Sequence, residues 1–245
     1  MMPAIINIHK ALVQLGLDRY IQVSSPSSLA VLGESYPPSA GSFKPEVSSV
    51  MQQLLDFLEA TKSPFWINAY PYFAYKDNPQ EIPVDYVLFN RNIGMTDPNT
   101  RLHYDNMMYA QVDAVAFAAA KLGYRNIEVR VAETGWPSKG DVGEIGASPV
   151  NAATYNRNLM MRQFAGEGTP ARRNARLDVY IFALFNEDMK PGPTSEKNYG
   201  IFQPDGSLAY NLGFSTMSTT TANSESVTYS SSATKVRLVL CGEFC

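Results

Sequence analysis

Ile127-Glu128-Val129-Arg130-Val131-Ala132-Glu133-Thr134-Gly135-Trp136-Pro137-Ser138 changes character halfway along. Its first half is short and rich in β-branched residues. It follows Lys121-Leu122-Gly123-Tyr124-Arg125-Asn126, the end of a helix and a Gly turn, so it reads as a strand. A single carboxylate, Glu133, stands where that strand ends, and Gly135 and Pro137 then turn the chain, which places the side chain at a mouth. Trp136 lies next to it. A flat ring beside a fixed carboxylate suits a sugar, because the apolar face of a pyranose covers an aromatic face while the acid reaches the anomeric carbon.

Working outward, Leu102 to Gly123 carries Met107, Met108, Ala110, Val112, Val115, Ala116, Ala119 and Leu122 and reads as a long helix closed by Gly123. On the other side, Pro149 opens a helix running through Ala152 to Phe164, and Arg176 to Phe185 gives a buried strand. That strand runs into Asn186-Glu187-Asp188-Met189-Lys190-Pro191-Gly192, the second concentration of ionisable groups. Glu196, Tyr199 and Phe202 follow in a loop placed to fold back over a cleft.

Further upstream, Lys44 to Thr61 keeps Val47, Val50, Met51, Leu54, Leu55 and Leu58 on one helical face. Ser63 to Phe73 then reads as an apolar strand ending in Pro71 and a crowd of rings. Asn68, Tyr70, Tyr72 and Tyr75 there mix hydrogen-bonding tips with flat faces, which a carbohydrate cleft needs. Asp85 to Phe89 is a further short apolar run with strand character. At the start, Pro3 to Leu17 has the spacing of an amphipathic helix, Tyr20 to Pro26 reads as a short strand, and a Ser/Pro loop continues to Gly41.

The 245 residues are 45% hydrophobic and 18% charged, with a net charge of −3, a globular composition without a basic run. Nucleic acid is therefore not an expected partner. No transmembrane segment is expected, nor does the N-terminus have a signal peptide's layout. Cys241 and Cys245 lie in the last five residues, and His9 and His103 stand apart from any ligand spacing, so neither a metal nor a cofactor is expected. From Ser215 to Thr234 the composition turns to Ser and Thr, which predicts a disordered tail over 215–245. Helices alternate with short strands, and each polar cluster follows a strand. That is α/β organisation with chemistry at the strands' carboxyl ends, as in a (β/α)8 barrel, although only four strand and helix units are countable, with strands near 20–24, 64–70, 127–133 and 178–185.

The string Val131-Ala132-Glu133-Thr134-Gly135-Trp136-Pro137-Ser138-Lys139-Gly140 resembles the signature of the plant family 17 glycoside hydrolases, the β-1,3-glucanases. Further matches run in family order from Met2 to about Phe214. The resemblance implies a TIM-barrel catalytic domain over 1–214 that is incomplete, because Met2 to Leu12 resembles the helix after the fourth barrel strand and no Gly-Asn-Glu acid/base motif is present. It implies that Glu133 is the nucleophile, that Glu187, Lys190 and Glu196 surround it, and that Lys190 keeps it charged. Tyr70 would border the catalytic subsite, and Trp136, Phe185 and Tyr199 would line the sugar groove, with Asn68 kept as a substrate-binding candidate from its place at the strand end. The implied activity is retaining endo-hydrolysis of β-1,3-glucan in an extracellular or cell-wall setting, impaired here by the missing acid/base half. A non-catalytic glucan-binding remnant and an unstable truncated product are the alternatives. Open half-barrel edges also invite self-association.

Overall fold

The structure is a computed structural model and describes residues 1–213. The expected tail disorder and both cysteines lie outside the described residues. The helices are α1 (Met2–Gln14), α2 (Pro45–Thr61), α3 (Pro71–Asp77), α4 (Val84–Val87), α5 (Met107–Lys121) and α6 (Pro149–Phe164). The strands are β1 (Pro26–Ser28), β2 (Leu32–Glu34), β3 (Ser42–Phe43), β4 (Phe65–Asn68), β5 (Met95–Thr96), β6 (His103–Tyr104), β7 (Val129–Thr134) and β8 (Val179–Ile181).

Four strands form one parallel sheet in the order β1-β4-β7-β8, while β2 with β3 and β5 with β6 make small antiparallel pairs. Each strand of the main sheet is thus hydrogen-bonded to its sequence neighbour within that sheet, with helical connections between, which is α/β architecture. The ladder of β4 and β7 continues past both ends: Phe65 N–H donates to the Glu128 carbonyl at 2.7 Å and Ala69 N–H to the Glu133 carbonyl at 2.9 Å.

Local chemistry explains the helices. Pro45 sits in the first turn of α2 with Glu46 beside it, and the helix ends at Lys62 in the left-handed region (φ 55°). It buries Met51, Leu54, Leu55 and Leu58; each of the three leucines is fully enclosed, a burial that stabilises by about 1.5–3 kcal/mol apiece. Asn106 caps α5 by accepting from Tyr109 N–H, and Ser148 caps α6 by accepting from Asn151 N–H. Along the sheet, Phe65, Ile67, Val129 and Val131 alternate into the helix-side core.

Several expectations change. The first strand is at Pro26–Ser28, not in 20–24: Gln22 and Ser24 use their side chains on the carbonyls of Lys62 and Pro64 instead of forming a ladder. The Ser/Pro stretch holds β2, β3 and two 3-10 turns. The second strand stops at Asn68, since Pro71 begins α3 and carries Tyr72, Phe73 and Tyr75 onto a helix. Val84–Val87 is a helical turn after Pro83, and the final strand is three residues long.

Candidate active site

Glu133 lies near the carboxyl end of β7, where the pairing register shifts on both sides, against β4 between Ile67 and Asn68 and against β8 between Val131 and Thr134. An irregularity of this kind re-aims a side chain that strict alternation would fix. The backbone around it is held firmly: Ala69 N–H donates to the Glu133 carbonyl, and Phe182 N–H donates to the Thr134 carbonyl at 2.8 Å. The Thr134 hydroxyl is hydrogen-bonded to the buried Tyr155 hydroxyl at 2.5 Å. Gly135 is required by close approach, because a Cβ there would stand 2.0 Å from the Phe182 carbonyl oxygen.

Among the described residues the half-buried Glu133 side chain has one hydrogen-bond partner. The Tyr70 hydroxyl donates to its Oε2 at 2.9 Å. Burial, reinforced by the Glu133 charge, pushes the Tyr70 phenol far above its ordinary value, so the hydroxyl stays protonated and remains a donor. Tyr70 meets Tyr199 edge-on with centroids 5.5 Å apart, and Tyr199 in turn contacts Phe182 at 6.0 Å. Tyr199 is 3% exposed, so it backs the site as packing. Asn68 is paired in register with Glu133, and its buried Oδ1 has no hydrogen-bond partner among the described residues.

Lys190 stands over the Phe182 ring, 5.0 Å from its centroid. Its ammonium lies 3.2 Å from Glu187 and 3.3 Å from Glu196. Burial pushes the Lys190 pKa down, but the hydrogen bonds and charges of Glu187 and then Glu196 outweigh it and raise the pKa. Among the described residues Lys190 makes no ion pair with Glu133: Glu187 and Glu196 hold the ammonium, and the Tyr70 hydroxyl binds Glu133.

Trp136 also corrects the reading from sequence. It is 0% exposed, its indole N–H donates to the Gly146 carbonyl at 2.8 Å, and its ring packs on Tyr72, Tyr75 and Tyr155. It therefore presents no face to a groove. The tight turn at Gly135 tucks the indole under the strand end. Phe185 is 46% exposed and rests on Phe202 with centroids 5.9 Å apart, an open apolar face at the same end of the sheet. Phe73, 39% exposed and 5.6 Å from the Tyr70 ring, adds another.

Sequence reasoning missed a clamp. Asp141 accepts from Thr194 N–H and from its hydroxyl, while Glu144 accepts from Ser195 N–H, the Ser195 hydroxyl and Asp141 N–H. These bonds tie the loop after Trp136 to the turn that carries Glu196. Burial pushes the Glu144 carboxyl up, yet the hydrogen bonds from Ser195 and Asp141 outweigh it and leave the group below its ordinary value. No local signal announces partners fifty residues apart. Among the described residues no cluster of three or more His, Cys, Asp or Glu side chains is placed to hold a metal ion, and no helix is long and apolar enough to cross a membrane.

Residues 1–214 match the profile of the Glycosyl hydrolases family 17. Glucan endo-1,3-beta-glucosidase 14 of Arabidopsis thaliana is 58% identical over 213 residues, covering 87% of this chain and 54% of that protein. A glucan endo-1,3-beta-D-glucosidase of Olea europaea is 43% identical over 213 residues, covering 87% of this chain and 46% of its own length. The chain thus spans about half the length of these relatives. Among solved structures, a beta-1,3-glucanase and allergen of Cryptomeria japonica pollen superimposes with a TM-score of 0.81 at 43% identity, covering 87% of this chain and 65% of that one. With the profile spanning the whole described body and the fold agreeing, this chain belongs to glycosyl hydrolase family 17.

Proposed function

We propose that this chain carries the nucleophile side of a retaining endo-β-1,3-glucanase site, built on one half of a (β/α)8 barrel. The observation that carries the reading is Glu133 at the carboxyl end of parallel strands, with one oxygen held by Tyr70 at 2.9 Å. Retaining hydrolysis needs one carboxylate to attack the anomeric carbon and a second carboxyl group to protonate the leaving oxygen, about 5–5.5 Å apart. Glu133 takes the first role. The Tyr70 hydroxyl fixes one carboxylate oxygen, so the other is left to form the glycosyl ester. Breaking that ester with water regenerates Glu133.

Lys190, bracketed by Glu187 and Glu196, supplies a fixed positive charge beside the ring wall of the site. Asn68 lies in register with Glu133 at the strand end, and Phe185 offers an apolar face for a pyranose. The substrate is a β-1,3-glucan, and the setting is the cell wall or extracellular space, as the names and plant origin of the relatives suggest.

Neither Glu187 nor Glu196 suits the proton donor's role, because both are engaged with the Lys190 ammonium, at 3.2 and 3.3 Å, and not turned to a leaving oxygen across from Glu133. The isolated chain is therefore weak or inactive in turnover. A general acid contributes roughly 10²–10⁴-fold in rate. The test is reducing-sugar release from laminarin by the purified chain and by Glu133→Gln, with laminarin affinity measured on both. Retained affinity without turnover is expected. Robust turnover that the substitution abolishes would overturn the impairment, and absence of any glucan affinity would remove the carbohydrate reading.

A further inference from the structure

The turn that carries Glu196 has no cap of its own. Thr194–Lys197 is a single 3-10 turn, and Pro193, standing where a capping side chain would, makes no side-chain hydrogen bond. The lead-in Pro191-Gly192-Pro193 is exposed, and its two prolines have no N–H to anchor it. The caps come from 53 and 51 residues upstream. Asp141 accepts from Thr194 N–H at 3.1 Å and from its hydroxyl, and Glu144 accepts from Ser195 N–H at 2.9 Å and from its hydroxyl. Both amides at the start of the turn are thus taken by carboxylates, as a helical N-terminus favours.

The loop that supplies these carboxylates is itself fixed. The Trp136 indole N–H and the Asn151 amide both donate to the Gly146 carbonyl at 2.8 Å, and Ser148 N–H donates to the Pro137 carbonyl at 3.1 Å. Asp141 N–H donates to Glu144 Oε2 at 2.8 Å, so the loop sets the carboxylate before the turn meets it.

Residues 194–199 reach the site at two points. Glu196 lies 3.3 Å from the Lys190 ammonium, and the Lys197 carbonyl accepts from Glu187 N–H at 3.0 Å, so both partners of Lys190 are tied to the turn. Tyr199 meets the ring of Tyr70, whose hydroxyl binds Glu133. Among the described residues neither Asp141 nor Glu144 is hydrogen-bonded or ion-paired to Glu133, Tyr70 or Lys190, so their hold on the site runs through the turn.

We propose that Asp141 and Glu144 are positioning residues of the glycosidase site: they cap the 194–197 turn from a distance and thereby fix the Glu196–Lys190 pair and the Tyr199 ring behind Tyr70. This rests on the reading of Glu133 as a glycosidase nucleophile. The test is competitive acylation of lysines in the folded 245-residue chain at about pH 8, read by peptide mass spectrometry, with laminarin affinity measured alongside. Burial lowers the Lys190 pKa, but Glu187 and Glu196 raise it above its ordinary value, so its reactive free amine is scarce. The variants are Glu144→Ala and the double variant Thr194→Val/Ser195→Ala, which deletes both hydroxyls without changing charge.

In both variants Lys190 should be acylated about three- to tenfold faster, Lys62 and Lys121 should keep the parent's rates, and laminarin affinity should fall by about threefold or more. An unchanged Lys190 rate would overturn the positioning role and leave the glucanase reading standing, even where stability falls, because the clamp is then only a brace. Equal acceleration at all three lysines would overturn it too. A parent without laminarin affinity would remove the glucanase reading on which the assignment rests. If Glu144→Ala unfolds by circular dichroism, the double variant decides.

Discussion

Replacing Trp136 distinguishes the position it holds from the one its sequence context suggests. The indole is fully enclosed, packs on three tyrosines and satisfies the Gly146 carbonyl. Truncating a buried aromatic residue to Ala costs about 3–5 kcal/mol, part of it from the cavity left behind. Trp136→Phe keeps most of the packing and loses the indole hydrogen bond, while the Asn151 amide still donates to the same carbonyl at 2.8 Å, so the cost is about 0.5–1.5 kcal/mol. Total stability for a domain is about 5–15 kcal/mol, so the Ala variant loses a large share of it. The assay is urea unfolding followed by far-UV circular dichroism, because removing one of two tryptophans alters the fluorescence signal. With a slope of about 2–3 kcal/mol/M, the Ala midpoint should fall by about 1–2.5 M and the Phe midpoint by less than half of that. An Ala variant within about 1 kcal/mol of the parent that has lost its glucan affinity would refute the reasoning and return the ring to the groove.

Gly135→Ala should destabilise by more than about 2 kcal/mol, because its Cβ would meet backbone oxygen at 2.0 Å, not a side chain that can swing away; a thermal midpoint equal to the parent's would show that the strand end yields freely. Asp97 is buried and accepts from Ser39 N–H, the Ser39 hydroxyl, Asn99 N–H and Thr100 N–H. Burial pushes its carboxyl up, but those hydrogen bonds prevail and its pKa lies below the ordinary value. A depressed folded pKa means the contribution is present above about pH 3.9 and is lost as pH falls through the folded value. Asp97→Asn should therefore cost about 1–3 kcal/mol at neutral pH and flatten the acid limb of a stability profile, whereas parallel profiles for the two proteins would contradict this role.

What could be read from sequence follows how local each determinant is. α2 and α5 are visible because one apolar face and a closing residue lie within the helix itself, and β7 because Val129 and Val131 alternate beside a Gly turn. β1 is different. Pro26-Ser27-Ser28 has no strand preference and is extended only because β4 pairs with it, while the better strand formers at Tyr20 to Val23 have no neighbour to pair with. The run Asp85 to Phe89 was ambiguous by length alone, and Pro83 decided it as a helix start.

In the site, Glu133 and Tyr70 were legible because one strand end and one helix start carry them. Trp136 was not, since exposure depends on which way a turn throws its side chain. Lys190 was read as a charge near Glu133, and its direct ion pairs with Glu187 and Glu196 were not ranked. Glu187 and Glu196 compete for it from within seven residues, which a spacing argument can list but cannot rank. The clamp from Asp141 and Glu144 to Thr194 and Ser195 arises only when distant loops meet.

The strand order β1-β4-β7-β8 also constrains the order of events during synthesis. Each new strand emerging from the ribosome lands on an edge that already exists, so the sheet can lengthen step by step without waiting for the far end of the polypeptide. Glu133 and Tyr70 can meet once β7 has docked, whereas Glu187, Lys190 and Glu196 arrive with the last segment. A nascent chain released before that segment would keep the scaffold and its carboxylate, but lack the charged surroundings that finish the site.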